Sequence, residues 1–348
     1  MAGYPPLRFG LIGYGAWGRQ HAAAIHDCPH TTLAMIACAS DASAACAHAD
    51  YPDARVTTRW QDVCAAPEID AIDIVVPNDL HATMAIAALQ GGKHTQLEKP
   101  MATREEDLGA MLEAAAESGK VLSIGHEFRL SSQWGAIKRL IDAGEIGDVQ
   151  SVAIHLFRNP YRKGAGSWRW NADRVGSWIL EETVHFYDLA LWYLAGHGAP
   201  RDVIAVGSSR RNDHFYDTTS TSIRWADGAI ASVFQTTSGF EHHLTVEVMG
   251  SVGAARARWS GAMDRTLDAD FDLCVIPKGF DFQRGVSECE RRPLEPSGEV
   301  AELGREIAAV AEAFRKGVPL VSPREAAMAV RVGLAAEKSI QTGKRLEI

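Results

Sequence analysis

Apolar and polar positions follow two different rhythms along this chain, and the rhythm changes near residue 125. Before that point, short apolar runs at 7–12, 33–37, 71–76, 93–97 and 121–124 alternate with stretches of helical period at 16–25, 42–49, 81–90 and 104–118. Strand-like runs separated by helices predict βαβ units, hence a doubly wound parallel sheet with right-handed crossovers and its ligand at the carboxyl ends of the strands. Thr103 and Glu106 have the spacing of a capping box ahead of the 104–118 helix, and Gly119 marks its end. After 125 come a helix at 133–143 stopped by Gly144, an alternating strand at 149–157 and a long apolar helix at 178–194. Strands at 203–209, 219–225, 229–236, 244–250 and 254–259 then follow one another with short turns. That order predicts an open, largely antiparallel sheet with helices on one face. Residues 277–298 are polar and irregular and read as loops, and helices at 300–314 and 323–342 end the sequence. The expected fold class is α/β: a doubly wound domain over 1–125 and an α+β domain over 126–348, whose last helix can pack back on the first.

Length and composition agree with two cores. A chain of 348 residues exceeds what one hydrophobic core usually serves, and 46% hydrophobic content fills two without any run that spans a bilayer. The start, Met1-Ala2-Gly3-Tyr4-Pro5-Pro6, lacks the basic and apolar regions of a secretory signal, so a cytoplasmic location is expected. A formal net charge of −9 argues against nucleic-acid binding. The six cysteines show no C-x-x-C pair and read mostly as small buried hydrophobes in a reducing compartment, with no metal centre.

The chemistry begins at Gly13-Tyr14-Gly15-Ala16-Trp17-Gly18, between the first strand and the first helix. G-x-G-x-x-G in that setting is a dinucleotide pyrophosphate cradle. Gly13 permits the tight turn, Gly15 the approach of phosphate, and Gly18 the close packing of a helix whose N-terminus faces the anion. Glu98-Lys99-Pro100 follows the fifth strand, so Lys99 is either a solvated lysine or an ammonium held at the sheet's carboxyl edge, beside the expected nicotinamide position. In the apolar helix 178–194, Glu181, His185 and Asp188 fall at i, i+4 and i+7 on one stripe. His185 can carry a proton near neutrality, can be a core histidine held by Asp188, or can join Glu181 and Asp188 as a metal ligand. Arg158, Arg162, Lys163, Arg169 and Arg174 crowd a loop with Trp168 and Trp170, against Asp173 alone. That loop is either a solvated cluster or a lid that grips a polyhydroxy or anionic ligand. His155, Phe157 and Asn159 share one face of the strand that feeds it.

Together these residues resemble the Gfo/Idh/MocA family of NAD(P)-dependent oxidoreductases. The resemblance runs from Gly13–Gly18 with His21 through Pro77-Asn78, His81 and Glu98-Lys99-Pro100. It continues through Arg129, Arg158-Asn159-Pro160, the stretch from Glu181 to Asp188, and 337–343. It implies a Rossmann domain followed by an open-sheet domain, with Lys99 as the catalytic lysine and His185 as the proton-transferring histidine. Arg158-Asn159-Pro160 is similar to the inositol dehydrogenase branch, where the asparagine sits at the substrate. Glu181 stands where many members have Asp, and Thr183 where many have Gly, so Glu181 is assigned to orienting a hydroxyl or His185. The implied cofactor site comprises Gly13, Tyr14, Gly15, Ala16, Trp17, Gly18, Cys38, Ser40, Pro77, Asn78, His81, Glu98 and Lys99. The substrate site comprises Lys99, Arg158, Asn159, Trp168, Arg169, Glu181 and His185.

The expected reaction is reversible oxidation of a secondary alcohol of a sugar, cyclitol or related polyol, with Lys99 and His185 meeting beside the reactive ring. Two alternatives stand beside it: an enzyme that retains NAD(H) through elimination or epimerisation, and a cofactor-sensing regulator without chemistry. The end of the second strand, Cys38-Ala39-Ser40, lacks the acid that holds a ribose 2′-hydroxyl, and no neighbouring Arg or Lys completes a 2′-phosphate site. NAD and NADP therefore both remain open. A sheet with one bare face calls for a homodimer or homotetramer.

Overall fold

The computed structural model describes residues 4–159, 164–210, 215–239, 241–262, 266, 268–277, 279 and 289–348. Its first strands and helices alternate as β1 (Leu7–Ile12), α1 (Ala16–Asp27), β2 (Thr31–Ala37), α2 (Asp41–Asp50), β3 (Arg55–Thr57), α3 (Trp60–Ala65), β4 (Ala71–Ile74), α4 (His81–Gln90), β5 (His94–Glu98), α5 (Glu105–Ser118) and β6 (Leu122–Gly125). The six strands pair in parallel in the order β3-β2-β1-β4-β5-β6. The order reverses beside β1, so the crevice of a doubly wound sheet opens at that strand's carboxyl end. Both β3 and α3 go beyond the sequence expectation. Three residues of strand carry too little alternation to announce themselves. The 104–118 helix begins at Glu105 with Arg104 as N-cap and no side-chain cap bond, so the expected Thr103–Glu106 capping box does not form. Gly119 does end it, in the left-handed region at φ 62°.

The later elements are α6 (Trp134–Asp142), β7 (Val149–Phe157), α7 (Ala172–Val175), α8 (Val184–Tyr193), β8 (Asp202–Ser208), β9 (Thr218–Arg224), β10 (Ile230–Thr236), β11 (His242–Gly250), β12 (Ala254–Gly261), β13 (Asp270–Ile276), β14 (Glu290–Arg291), α9 (Glu299–Lys316), α10 (Pro323–Thr342) and β15 (Leu346–Glu347). Nine strands form one sheet in the order β14-β13-β12-β11-β7-β10-β9-β8-β15, antiparallel except for the β7–β10 pair. β13 was not expected. It brings Cys274 to Cys289 beyond it, and these two, from a set read mostly as small buried hydrophobes, are joined by a disulfide. Cys46 is exposed, while Cys28, Cys38 and Cys64 are buried and free.

The chain forms two compact units: residues 1–126, 163–176 and 303–327 in one, 127–162, 177–302 and 328–348 in the other. In the first, Leu303, Ile307, Val310 and Phe314 of α9 recur on one helical face and join Phe9, Leu11, Ile25 and Ile36 in a single core. In the second, alternate residues of β7 (Val152, Ile154, Leu156) and β10 (Ala231, Val233, Gln235) are buried on the sheet's helix-covered side. Among the described residues no helix is long and apolar enough to cross a membrane.

Candidate active site

The glycine turn is built as its spacing predicts. Gly13 has φ +106°, and a Cβ there would lie 2.0 Å from the Val75 carbonyl oxygen. A Cβ on Gly18 would lie 2.1 Å from the Gly13 carbonyl oxygen, so helix and strand touch backbone to backbone. At Gly15 a Cβ would meet nothing within 4 Å. Gly15 is also the N-cap of α1, and no side chain caps that helix. An uncapped helix start beside open space is where a pyrophosphate fits.

Around the turn, several expected contact residues are committed to the scaffold. The Tyr14 hydroxyl donates to Asp50 (2.6 Å), and Asn78 donates to the Val175 carbonyl (2.9 Å). Pro77 leads into the 3₁₀ turn Asn78–Leu80. The buried His81 ring has Nδ1 2.7 Å from the Pro100 carbonyl oxygen and Nε2 3.0 Å from that of Val76, fastening the Lys99-Pro100 corner to the end of β4. Cys38 directly follows β2, and burial pushes its thiol pKa up. Ser40 caps α2, accepting from the Ser43 N–H. The cation sought near Cys38 comes from an unexpected place: Arg19 of α1 lies over the Tyr14 ring, 3.5 Å from Asp50, and its charge reaches both Cys38 and Cys46.

Behind Lys99, itself half-buried, lies a cluster that sequence reasoning missed. The buried His21 ring places Nδ1 2.7 Å from Asp73 Oδ2 and Nε2 3.0 Å from Glu98 Oε1. The Trp17 indole N–H donates to the same Glu98 oxygen (3.1 Å). Burial pushes the His21 ring toward neutrality, but Asp73 and Glu98 outweigh it and hold the ring's pKa well above 6.5. Burial likewise raises Glu98, and His21, Lys99 and Trp17 together bring it below 4.5. Glu306 of α9, fully buried, is driven well above 4.5 by desolvation and then by Glu98. The sequence signals were His21 three residues after Gly18 and an acid inside an apolar strand at Asp73.

In the second unit, residues Ile179–Thr183 form a π turn that runs into α8, where a single α-helix was expected. Glu181, His185 and Asp188 are all buried. Asp188 accepts two bonds from the Arg129 guanidinium (2.7 and 2.8 Å). The His185 ring stacks on Phe128, with centroids 4.6 Å apart, and Nδ1 lies 3.9 Å from Glu127 Oε2. Both come from the 3₁₀ turn Glu127–Leu130 just after β6, a segment whose short length hid it. Among the described residues no three His, Cys, Asp or Glu side chains gather as metal donors.

Three arginines of the basic loop are engaged among the described residues. Arg158 is buried and pairs with Glu182 (2.7 Å), while Asn159 beside it is half-buried. Arg174 lies 3.5 Å from Asp79, and the Arg169 guanidinium covers the Trp168 ring at 4.5 Å. Pro160, Arg162 and Lys163 lie outside the described residues.

Comparison with known proteins agrees with this architecture. Residues 7–126 match the Gfo/Idh/MocA oxidoreductase family, NAD-binding Rossmann fold, and residues 134–256 match the Gfo/Idh/MocA C-terminal domain. A levoglucosan dehydrogenase of Pseudarthrobacter phenanthrenivorans is 29% identical over 287 residues, 71% of this chain and 72% of its own. An inositol 2-dehydrogenase of Rhizobium meliloti is 29% identical over 311 residues, 87% of this chain and 91% of its own. A levoglucosan dehydrogenase solved with NADH and levoglucosan superposes with TM-score 0.82 over 99% of each chain at 24% identity, a likeness of fold.

Proposed function

Since this chain belongs to the Gfo/Idh/MocA family of NAD(P)-dependent oxidoreductases, we propose that it is a dehydrogenase for a secondary alcohol of a sugar, cyclitol or related polyol. The observation that carries the reading is the Trp17–Glu98 bond (3.1 Å), which ties the glycine turn to the residue before Lys99. It makes the cofactor cradle and the candidate catalytic ammonium parts of one construction within the first unit. The open space at Gly15 and the uncapped start of α1 suit a pyrophosphate held by 13–18. A bound nicotinamide would supply the hydride acceptor.

The chain's own residues then handle the proton and the charge. The Lys99 ammonium bonds the reacting oxygen and stabilises the negative charge that develops there. His185 takes the hydroxyl proton and returns it in the reverse direction, assistance of about a hundred- to ten-thousandfold. Glu181 orients the hydroxyl or the His185 ring, and Asn159, Trp168 and Arg169 are assigned to the rest of the polyol. The reading includes a second copy of the chain on the bare face of the nine-stranded sheet, where Ile204, Val206, Ile230 and Met249 stand exposed. Light scattering on the purified protein checks for that dimer or tetramer. The same reading sets the enzyme in the cytoplasm.

The test is a panel of sugars, cyclitols, anhydrosugars and sugar acids with NAD+ and NADP+, following nicotinamide absorbance. Stoichiometric reduced cofactor with an oxidised product supports a dehydrogenase. Tight cofactor binding with no turnover on any member sinks it in favour of a sensor.

A further inference from the structure

The turn that leads into α8 is pinned at two successive residues to two different strands' ends of the sheet. Within it, the Val184 N–H reaches back to the Ile179 carbonyl, the wide ring of a π turn. Such turns cost stability in isolation and recur at functional sites. Ser177 anchors the entry, accepting on its carbonyl from the Glu181 N–H (2.9 Å) and on its hydroxyl from the Leu180 N–H (3.1 Å). Glu182 pairs with Arg158, just beyond the end of β7 (2.7 Å). Thr183 donates its hydroxyl to Gln235 Oε1 on β10 (2.6 Å), and both residues are 0% exposed. This is the one hydrogen bond the Gln235 side chain makes among the described residues, its amide nitrogen having no partner. Gln235 itself is held on both flanks, opposite Leu156 of β7 and Thr219 of β9.

Thr183 is a poor choice for a helix interior on propensity, being β-branched and prone to bond elsewhere. Here the hydroxyl finds its acceptor on a strand inside the sheet. Glu181 and His185 stand two residues before and two residues after it. We propose that Thr183 is a positioning residue: its bond to Gln235 locks the π turn so that Glu181 and His185 are presented in fixed register for proton transfer. The proposal rests on the dehydrogenase reading above.

The test compares Thr183→Val, Thr183→Ser and the double variant Thr183→Val/Gln235→Leu in the full-length enzyme, on the best substrate of the panel. Thr183→Val lowers kcat about ten- to a hundredfold, the scale of an ångström's misplacement. KM stays within about threefold, because the lost term acts in the transition state. Thr183→Ser restores kcat. The double variant, with both polar partners replaced by apolar groups, regains the melting temperature that Thr183→Val loses but not its kcat. The proposal is overturned if Thr183→Val keeps wild-type kcat, or if the double variant recovers kcat along with stability, since the bond would then be core satisfaction alone. His185→Ala separates the two levels: turnover surviving that change removes the dehydrogenase mechanism itself. If no panel member reacts, the side-chain NMR signal of His185 serves as readout. It is displaced in Thr183→Val and restored in Thr183→Ser, and an unmoved signal in Thr183→Val overturns the proposal.

Discussion

In the first unit, three carboxyl groups, Asp73, Glu98 and Glu306, share a buried pocket with a single imidazole, His21. In the second, the buried carboxylates Asp188 and Glu182 each have a guanidinium of their own, Arg129 and Arg158. The first arrangement balances charge by where protons sit, the second by permanent cations. A cluster balanced by shared protons changes with pH, whereas a pair balanced by a permanent cation is intolerant of losing a partner.

The largest expected effect tests what the first cluster supports. Lys99→Ala lowers kcat/KM by about a thousandfold or more, roughly 4 kcal/mol, while quenching of tryptophan fluorescence on cofactor addition persists. Breaking an arginine-balanced pair comes next. Arg129→Met leaves Asp188 buried without its fork and costs about 3–5 kcal/mol of stability in denaturant unfolding. Adding Asp188→Leu recovers most of that loss, and failure to recover would show the pair to be more than balanced charge.

The pH dependence of stability comes third, with signs set by the shifted groups. Glu98 is held below 4.5, so its contribution is present above that value and fades as pH falls through its folded pKa. Glu306 is raised, so the folded state keeps a proton that the unfolded chain releases above 4.5, and stability falls as pH rises from there. His21 is raised too, and its contribution is full below 6.5 and lost as pH climbs toward its folded value. Each such proton is worth up to about 1.4 kcal/mol per pH unit. Glu306→Gln, which imitates the neutral acid, flattens the decline between 4.5 and 6.5 and leaves the His21 part above it. Melting temperatures across that range check it, and an unchanged slope would mean that Glu306 ionises in the fold. The smallest effect belongs to Thr103→Ala: with no cap bond to lose, stability moves by less than about 0.5 kcal/mol.

What could be read from the sequence follows from how local each cause is. The glycine turn, the alternation of β7 and the stripe of α9 are set by neighbours within a few residues, and they stand where the pattern put them. The capping box failed because Arg104, not Thr103, takes the extended N-cap conformation. The partners of His185 and Asp188 lie near 127–129, more than fifty residues away, so helical spacing had no access to them. The same distance hid His21–Asp73–Glu98, although Asp73 carried a local oddity, an acid in an otherwise apolar strand. Arg19 was not legible as that cation because it comes from α1 and not from the loop after β2.

β10 and β11 are nearly consecutive along the chain, yet β7 lies between them, parallel to one and antiparallel to the other. The ribbons β8-β9-β10 and β11-β12-β13 can each zip from a tight local turn, but neither can complete the sheet alone. The seam between them is closed by the strand synthesised first. Assembly of this half of the molecule therefore depends on a contact of high sequence separation, the slow class of folding event, and the late-made ribbons must wait for their oldest member.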